Sequence, residues 1–412
     1  LETLRHEHYW YYRLAHDLTF RDAAFREQSQ NTLSPDQAAA EAAVREQAIQ
    51  AIVQRLSLNT GPDELAETPE ILLPEVQSKL DNASILLAYY SDGVSLWAFK
   101  LTQDSLELVE LGATVKRIDQ LLNKLQANID RALLTSHEST DANILNDFLA
   151  QVLLQLHKLL IAPLQLQDAE RVVIVPYGSL HYLPFHLLRS EKGYWIEHCE
   201  LAVLPAASLI TRTSPEREPG ALALAHSWNN RLKTPLREAT DVVSKLGGRV
   251  YDEQAVTRTT LDANPRQVLH LAVHGTYRLD EPDFSFLERG DGPIYFDDLL
   301  QHDLSYELVT LSACESGRSQ VSAGDELIGL GRGFLFAGAG ALLASLWRVD
   351  DAFTSALMDA FYKHLGSGLS KASALRHAQC ELLNDHPGLH PAFWGGFELI
   401  GNTEPLSHLR SR

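Results

Sequence analysis

The sequence is poor in methionine, cysteine and basic charge, and each shortage excludes something. Met358 is the only methionine in 412 residues and position 1 is Leu1. The chain therefore reads as a fragment or processed product, and the lack of a leader at Leu1 carries no information on targeting. Three cysteines, Cys199, Cys314 and Cys380, are too few and too odd in number for a disulfide framework. They fit a reducing compartment, and a cytoplasmic location is expected. Lys and Arg number 35 against 54 Asp and Glu, a net charge of −19. Such an excess repels phosphate backbones, so no direct nucleic-acid partner is expected, and a basic partner or substrate loop is favoured. No uninterrupted apolar run reaches the roughly 18 residues of a membrane span, so no membrane partner is expected either. Low-complexity tracts and internal repeats are also missing.

What remains is an ordinary globular composition, 45% hydrophobic and 22% charged, in a chain long enough for two domains. Residues 1–60 read as helices. Ser34-Pro35-Asp36 looks like an N-cap with proline at the first helical position, and Val44, Ala48, Ile52 and Leu56 recur at intervals of four. This segment is either a pair of packing helices or the end of a helical repeat region. Turn formers over Gly61–Pro69 follow. Residues 61–213 then read as an α/β unit: a hairpin of Ile85–Tyr90 and Val94–Leu101 about Ser91-Asp92-Gly93, helices over Val115–Leu134 and Asn143–Leu160, and a β-branched run at Arg171–Pro176. That unit is expected either to stand as a separate pseudo-domain or to extend the sheet that follows.

Ser214–Gly220, rich in Pro and Glu, reads as the principal boundary. Over residues 220–412 the pattern becomes regular alternation. Strands are expected at Ala221–Ala225, Arg249–Asp252, Val268–Val273, Leu308–Ala313 and Ala341–Trp347. Helices are expected at Leu236–Leu246, Leu327–Phe336, Ala352–Leu365 and Ser370–Leu383. Uninterrupted apolar strands imply a mostly parallel sheet covered on both faces, in which working residues sit just past the carboxyl ends of strands.

Two strand ends carry reactive side chains. Val268–Val273 runs into His274-Gly275, and Leu308–Ala313 runs into Cys314-Glu315-Ser316-Gly317. If the two strands are neighbours, an imidazole and a thiol meet at one edge. A free thiol of pKa about 8.5 is mostly protonated at neutral pH, and an adjacent histidine activates it. Backbone N–H groups of Gly275 and Cys314 can form an oxyanion hole. His270, four residues before His274, reads as a core histidine with a satisfied hydrogen bond. In one extended strand the two would lie about 13 Å apart, too far to share a metal, and the chemistry calls for no cofactor or metal. Cys199 and Cys380 read as inert buried thiols.

The stretch Leu269–Gly275 followed by Leu311-Ser312-Ala313-Cys314-Glu315-Ser316-Gly317 resembles the CHAT domain family, caspase-like cysteine peptidases distantly similar to separases. Gly324-Asp325-Glu326-Leu327-Ile328-Gly329-Leu330, Ser345-Leu346-Trp347-Arg348-Val349-Asp350-Asp351 and Trp394-Gly395-Gly396-Phe397 follow in order. Ile174–Leu180 and Leu183-Pro184-Phe185 match upstream, so the resemblance covers roughly residues 80–402. Val273 departs mildly from the family's small polar residue. The resemblance implies a caspase-like fold, with His274 as general base and Cys314 as nucleophile in peptide hydrolysis through a thioester. It also implies a protein or peptide substrate and control by an upstream helical-repeat region or a regulatory protein. A carboxylate reading a basic P1 residue is drawn from Asp325, Asp350 or Asp351, although Asp325 and Asp351 equally suit helix capping. Arg348 leaves an acidic P1 open, and Asp297 and Asp298 read as solvated or capping charges. The rival reading is a caspase-like binding module that is silent, or active only with a partner.

Overall fold

In the computed structural model the described residues are 72–409, apart from 92–94, 136–138, 167–168, 213–214, 216, 228–233, 263–265, 277–285, 300–301, 313–319, 322–326 and 329. The expectations for residues 1–71 lie outside them. An 11-stranded sheet organises the rest. Its strands are β1 (Ser84–Ser91), β2 (Ser95–Leu101), β3 (Leu106–Thr114), β4 (Arg171–Val175), β5 (Glu200–Val203), β6 (Glu218–Ala225), β7 (Gly248–Asp252), β8 (Arg266–Ala272), β9 (Leu308–Leu311), β10 (Ala341–Ser345) and β11 (Phe397–Gly401). In space they run β3-β2-β1-β4-β5-β11-β10-β9-β8-β6-β7. Only the β1–β2, β2–β3 and β10–β11 pairings are antiparallel.

The strands of the 61–213 segment therefore continue the sheet of the C-terminal half. The join is narrow, a single registered pair, Ile400 with Val203. Ser214–Gly220, rich in turn formers, does not fall wholly between elements. Glu218, Pro219 and Gly220 open β6, where the first two residues are exposed and Pro219 withholds an N–H at the strand start. The other departures are local: Leu327–Ile328 is a short strand, and the helix begins at Leu330.

Helices α1 (Val115–Leu133), α2 (Thr140–Leu160), α3 (Pro235–Leu246), α4 (Leu330–Phe336), α5 (Asp351–Gly366) and α6 (Lys371–Asp385) flank the sheet. Alternation along the strands divides the core between them. Leu269, Leu271, Val309, Leu311, Leu342 and Ala344 join Phe334 and Leu335 of α4 in one cluster. On the opposite face Val268, Leu308, Ala341 and Leu343 join residues of α5 and α6. By length and composition a helix over Asp141–Leu164 could cross a bilayer. Here, though, its Leu149, Val152, Leu153, Leu156 and Leu160 are buried in the core.

Several core positions are ionisable, and one of them lies inside the sheet next to apolar partners. Glu398 of β11 is 8% exposed and lies across from Ala344, which pairs in turn with Leu311 and Leu271. Burial pushes its carboxyl up to about 8 from an ordinary 4.5, so the fold favours the protonated acid. A raised folded pKa gives stability that is complete below pH 4.5 and lost as pH rises through about 8. Glu398→Gln is therefore expected to match the native chain closely at pH 4.5 and to exceed it at pH 8.5 by roughly 4–5 kcal/mol. Urea unfolding at the two pH values measures the difference. A constant difference would contradict the assignment.

Candidate active site

The edge of interest is formed where β6, β8 and β9 end. β8 pairs in parallel with β9 through Val268–Leu308, Leu269–Val309, His270–Thr310 and Leu271–Leu311. The ladder extends one step further, with the Ser312 N–H donating to the Leu271 carbonyl at 2.9 Å. His274 and Cys314 each lie three residues beyond the last registered pair, Leu271 and Leu311. Three residues of chain span at most about 10 Å. The neighbouring-strand condition is thus met; Cys314 itself, like Asp325, lies outside the described residues.

His274 is half-buried, and its carbonyl accepts from the Glu288 N–H at 2.8 Å. Gly275–Thr276 then pairs with Phe286–Leu287, which pairs with Ile294–Tyr295. The backbone at His274 is thereby held between a buried strand end and a small antiparallel sheet. Because β8 stops at Ala272, the strand alternation that would set His274 on the face of His270 ends two residues short of it. Gly275, the oxyanion-hole candidate, is the first residue of that small sheet.

His270 belongs to the interior, as its sequence position indicates. It is fully buried, its Nδ1 is 2.9 Å from the Tyr362 hydroxyl, and that hydroxyl donates to Thr310 Oγ1 at 2.7 Å. Its Nε2 faces Glu238 Oε1 of α3 at 3.2 Å. Among the described residues no cluster of His, Cys, Asp and Glu could hold a metal. Of the remaining thiols, Cys199 is buried and Cys380 half-buried. Burial pushes the Cys199 thiol up to about 12 and raises that of Cys380, which disfavours the nucleophilic thiolate in both.

The acidic candidates separate. Asp350 is the N-cap of α5, its Oδ1 accepting from Ala352 and Phe353 N–H at 2.9 and 3.2 Å. The capping role assigned to Asp351 thus falls one residue earlier. The reason is geometric: Asp350 has extended backbone (φ −79, ψ 133) while Asp351 is already helical, and a cap needs the non-helical residue. Asp351 and Arg348 are exposed. Asp298 Oδ2 accepts from the Tyr295 N–H at 3.1 Å, a local cap; the side chain of Asp297 lies outside those described.

The flanking motifs brace this edge. Trp347, 2% exposed, donates Nε1–H to the Ala392 carbonyl at 2.9 Å. The Leu346 N–H reaches the Gly396 carbonyl at 2.8 Å. A Cβ on Gly396 would come within 2.6 Å of Val349, and one on Gly395 within 2.5 Å of Leu187. Gly396 therefore lets the Trp394–Phe397 segment pack against Trp347 and Val349, and Gly395 lets it approach Leu187. The Gly178–Tyr182 turn of the upstream motif lies against the strand Gln320–Val321, a few positions after Cys314 in the sequence.

Sequence reasoning missed His226. It follows β6 directly, and its N–H continues the ladder to the Ala272 carbonyl at 3.0 Å. His226 is 8% exposed, with Nε2 3.9 Å from Glu253 Oε2 and a buried Nδ1 that has no hydrogen-bond partner among the described residues. The signal was present, since Ala221–Ala225 is another apolar run ending in histidine.

The family model described as the CHAT domain matches residues 150–402. Tetratricopeptide repeat protein 28 of Mus musculus and its counterpart of Homo sapiens are each 38% identical over 110 residues, which is 27% of this chain and 4% of theirs. The chain thus spans a small fraction of the length of these curated relatives. Among solved structures, the Saccharomyces cerevisiae separase–securin complex aligns with a TM-score of 0.56 and 11% identity, covering 79% of this chain and 30% of that one. That likeness is one of fold, a mostly parallel caspase-like sheet flanked by helices. With the family model covering more than half of its length, the chain belongs to the CHAT domain family.

Proposed function

We propose that this chain is a cysteine endopeptidase in which Cys314 attacks a peptide carbonyl and His274 serves as its base. The observation that supports the reading is the parallel β8–β9 register, since His274 and Cys314 are each three residues in sequence beyond its last pair. In the proposed reaction His274 withdraws the thiol proton, the thiolate forms a thioester, and the imidazolium returns the proton to the leaving amine. Water then hydrolyses the thioester with the imidazole again acting as base. The N–H groups of Gly275 and Cys314 stabilise the oxyanion in both steps.

A basic P1 residue suits the acidic candidates. Asp350 is occupied by its helix, which leaves Asp351 and Asp325 as the carboxylates for an S1 pocket. The substrate class is a protein or peptide. Regulation by an upstream repeat region or a protein partner is supported by two names, a tetratricopeptide repeat protein among the relatives and a separase–securin complex among the structures. A cytoplasmic setting suits a nucleophilic thiol.

Incubation of the wild-type chain and Cys314→Ala with a diverse peptide library tests the reading. Cleavage after Arg or Lys, absent in Cys314→Ala, is expected. If neither protein cleaves, while iodoacetamide leaves Cys314 unlabelled in the folded chain, the binding-module reading replaces it. Labelling that appears only on addition of a repeat-containing partner identifies a zymogen.

A further inference from the structure

Away from the His274 edge, where the two halves of the sheet meet, lies a cavity of about 430 Å³. One wall comes from the N-terminal half, with Ser84 and Arg171 at the starts of β1 and β4. The other comes from the C-terminal half, with Glu307 just before β9 and Gly401 across from Ala341 at the start of β10. This volume lies within the range of small-molecule sites, and the lining is polar and rich in cations.

Four cationic side chains line it, Lys79, Arg171, Arg212 and Lys371, against the carboxylates Glu307 and Glu404. Their partners decide how much positive charge remains. Arg171 is balanced by Asp81 at 3.3 Å and Glu200 at 3.4 Å. Glu307 is buried, with both oxygens engaged by Ser407 at 2.8 and 2.6 Å. Lys371 is 1% exposed and donates to Asn402 Oδ1 at 3.1 Å and the Glu404 carbonyl at 2.7 Å. Half-buried Arg212 has one hydrogen bond, to the Leu335 carbonyl, and no carboxylate partner among the described residues. Exposed Lys79 stands at the rim with no ion pair among them either.

A half-buried guanidinium with only a carbonyl partner retains several N–H donors in a fork that fits a phosphate or carboxylate. Lys371 opens helix α6, so the positive end of the helix dipole reinforces the same region. We propose that this cavity binds a small phosphate-bearing metabolite. Its anionic head lies against Arg212, with Lys79 at the rim, and its polar body lies along Thr211, Asn402 and Thr403. Because the walls belong to both halves of the sheet, such a ligand braces the narrow β5–β11 join. The inference is independent of whether Cys314 is active.

Thermal unfolding of the full chain with ribose 5-phosphate is the test, with ribose, citrate and sodium chloride of equal ionic strength as controls. Ribose 5-phosphate is expected to raise the midpoint saturably below about 10 mM. Arg212→Gln and Lys79→Glu, each checked for native circular dichroism, are expected to weaken this effect at least about fivefold. An equal or larger saturable shift with citrate would overturn the phosphate assignment in favour of a carboxylate. The site itself is refuted by an absent or unsaturable shift, by an equal shift with ribose or sodium chloride, or by undiminished response in both variants.

Discussion

Exchange of His274 for alanine is expected to lower peptide turnover by about 10²–10⁴-fold, yet to slow alkylation of Cys314 by no more than about 30-fold at pH 7. The two limits differ because the reactions use the imidazole differently. Alkylation needs only the thiolate. An unassisted thiol of pKa about 8.5 is roughly 3% ionised at pH 7, so complete ionisation gains about 30-fold. Peptide cleavage also needs a proton delivered to the departing amine, which a neighbouring imidazolium supplies far better than bulk water. The pH profile carries the signature. His274→Ala is expected to follow a single thiol ionisation near 8.5, whereas the native chain reacts at lower pH. Identical alkylation profiles would remove His274 from the mechanism, and turnover lost only in step with alkylation would remove its role as acid.

How much of this site was legible in the sequence depends on how local each determinant is. β8 and β9 announce themselves as apolar runs because both faces are covered, and His274 and Cys314 follow them directly. The hairpin of β1 and β2 was readable from Asp92-Gly93 for the same local reason. β3, β5 and β11 were not. β3 alternates over one half-buried face with Glu107 and Glu110 among its residues, which weakens an apolar signal. β5 has four residues and meets β11 through Val203 and Ile400, nearly 200 positions apart. No periodicity within either segment encodes that pairing, and so the continuity of the sheet was left open. The cap of α5 shows a finer limit: Asp350 and Asp351 are chemically identical, and only the backbone angle at Asp350 makes it the cap.

His270 was readable as interior, but its partners were not, because Glu238, Thr310 and Tyr362 come from three separate elements. Their arrangement leads to the second large effect. His270 and Thr310 are a registered pair on β8 and β9, and the Tyr362 hydroxyl lies between them at 2.9 and 2.7 Å. Burial pushes the Tyr362 phenol well above its usual range, so it keeps its proton. With that proton directed to Thr310, His270 Nδ1–H donates to the Tyr362 oxygen. Nε2 lies 3.2 Å from Glu238 Oε1, close enough for the two buried groups to couple, although neither atom has a hydrogen bond among the described residues. His270→Leu removes both contacts and strands Glu238, itself 8% exposed, so a loss of about 3–5 kcal/mol in urea unfolding is expected. Glu238→Leu in that background is expected to recover about 1–3 kcal/mol, because an apolar pair escapes the desolvation that an unmatched carboxylate suffers. Tyr362→Phe leaves the histidine nitrogen and the threonine hydroxyl short of one partner each, at about 1–3 kcal/mol. Additive losses across the His270–Glu238 cycle would mean that the two do not interact. Coupled losses would establish that a buried contact joins α3 to β8, the strand that runs into His274.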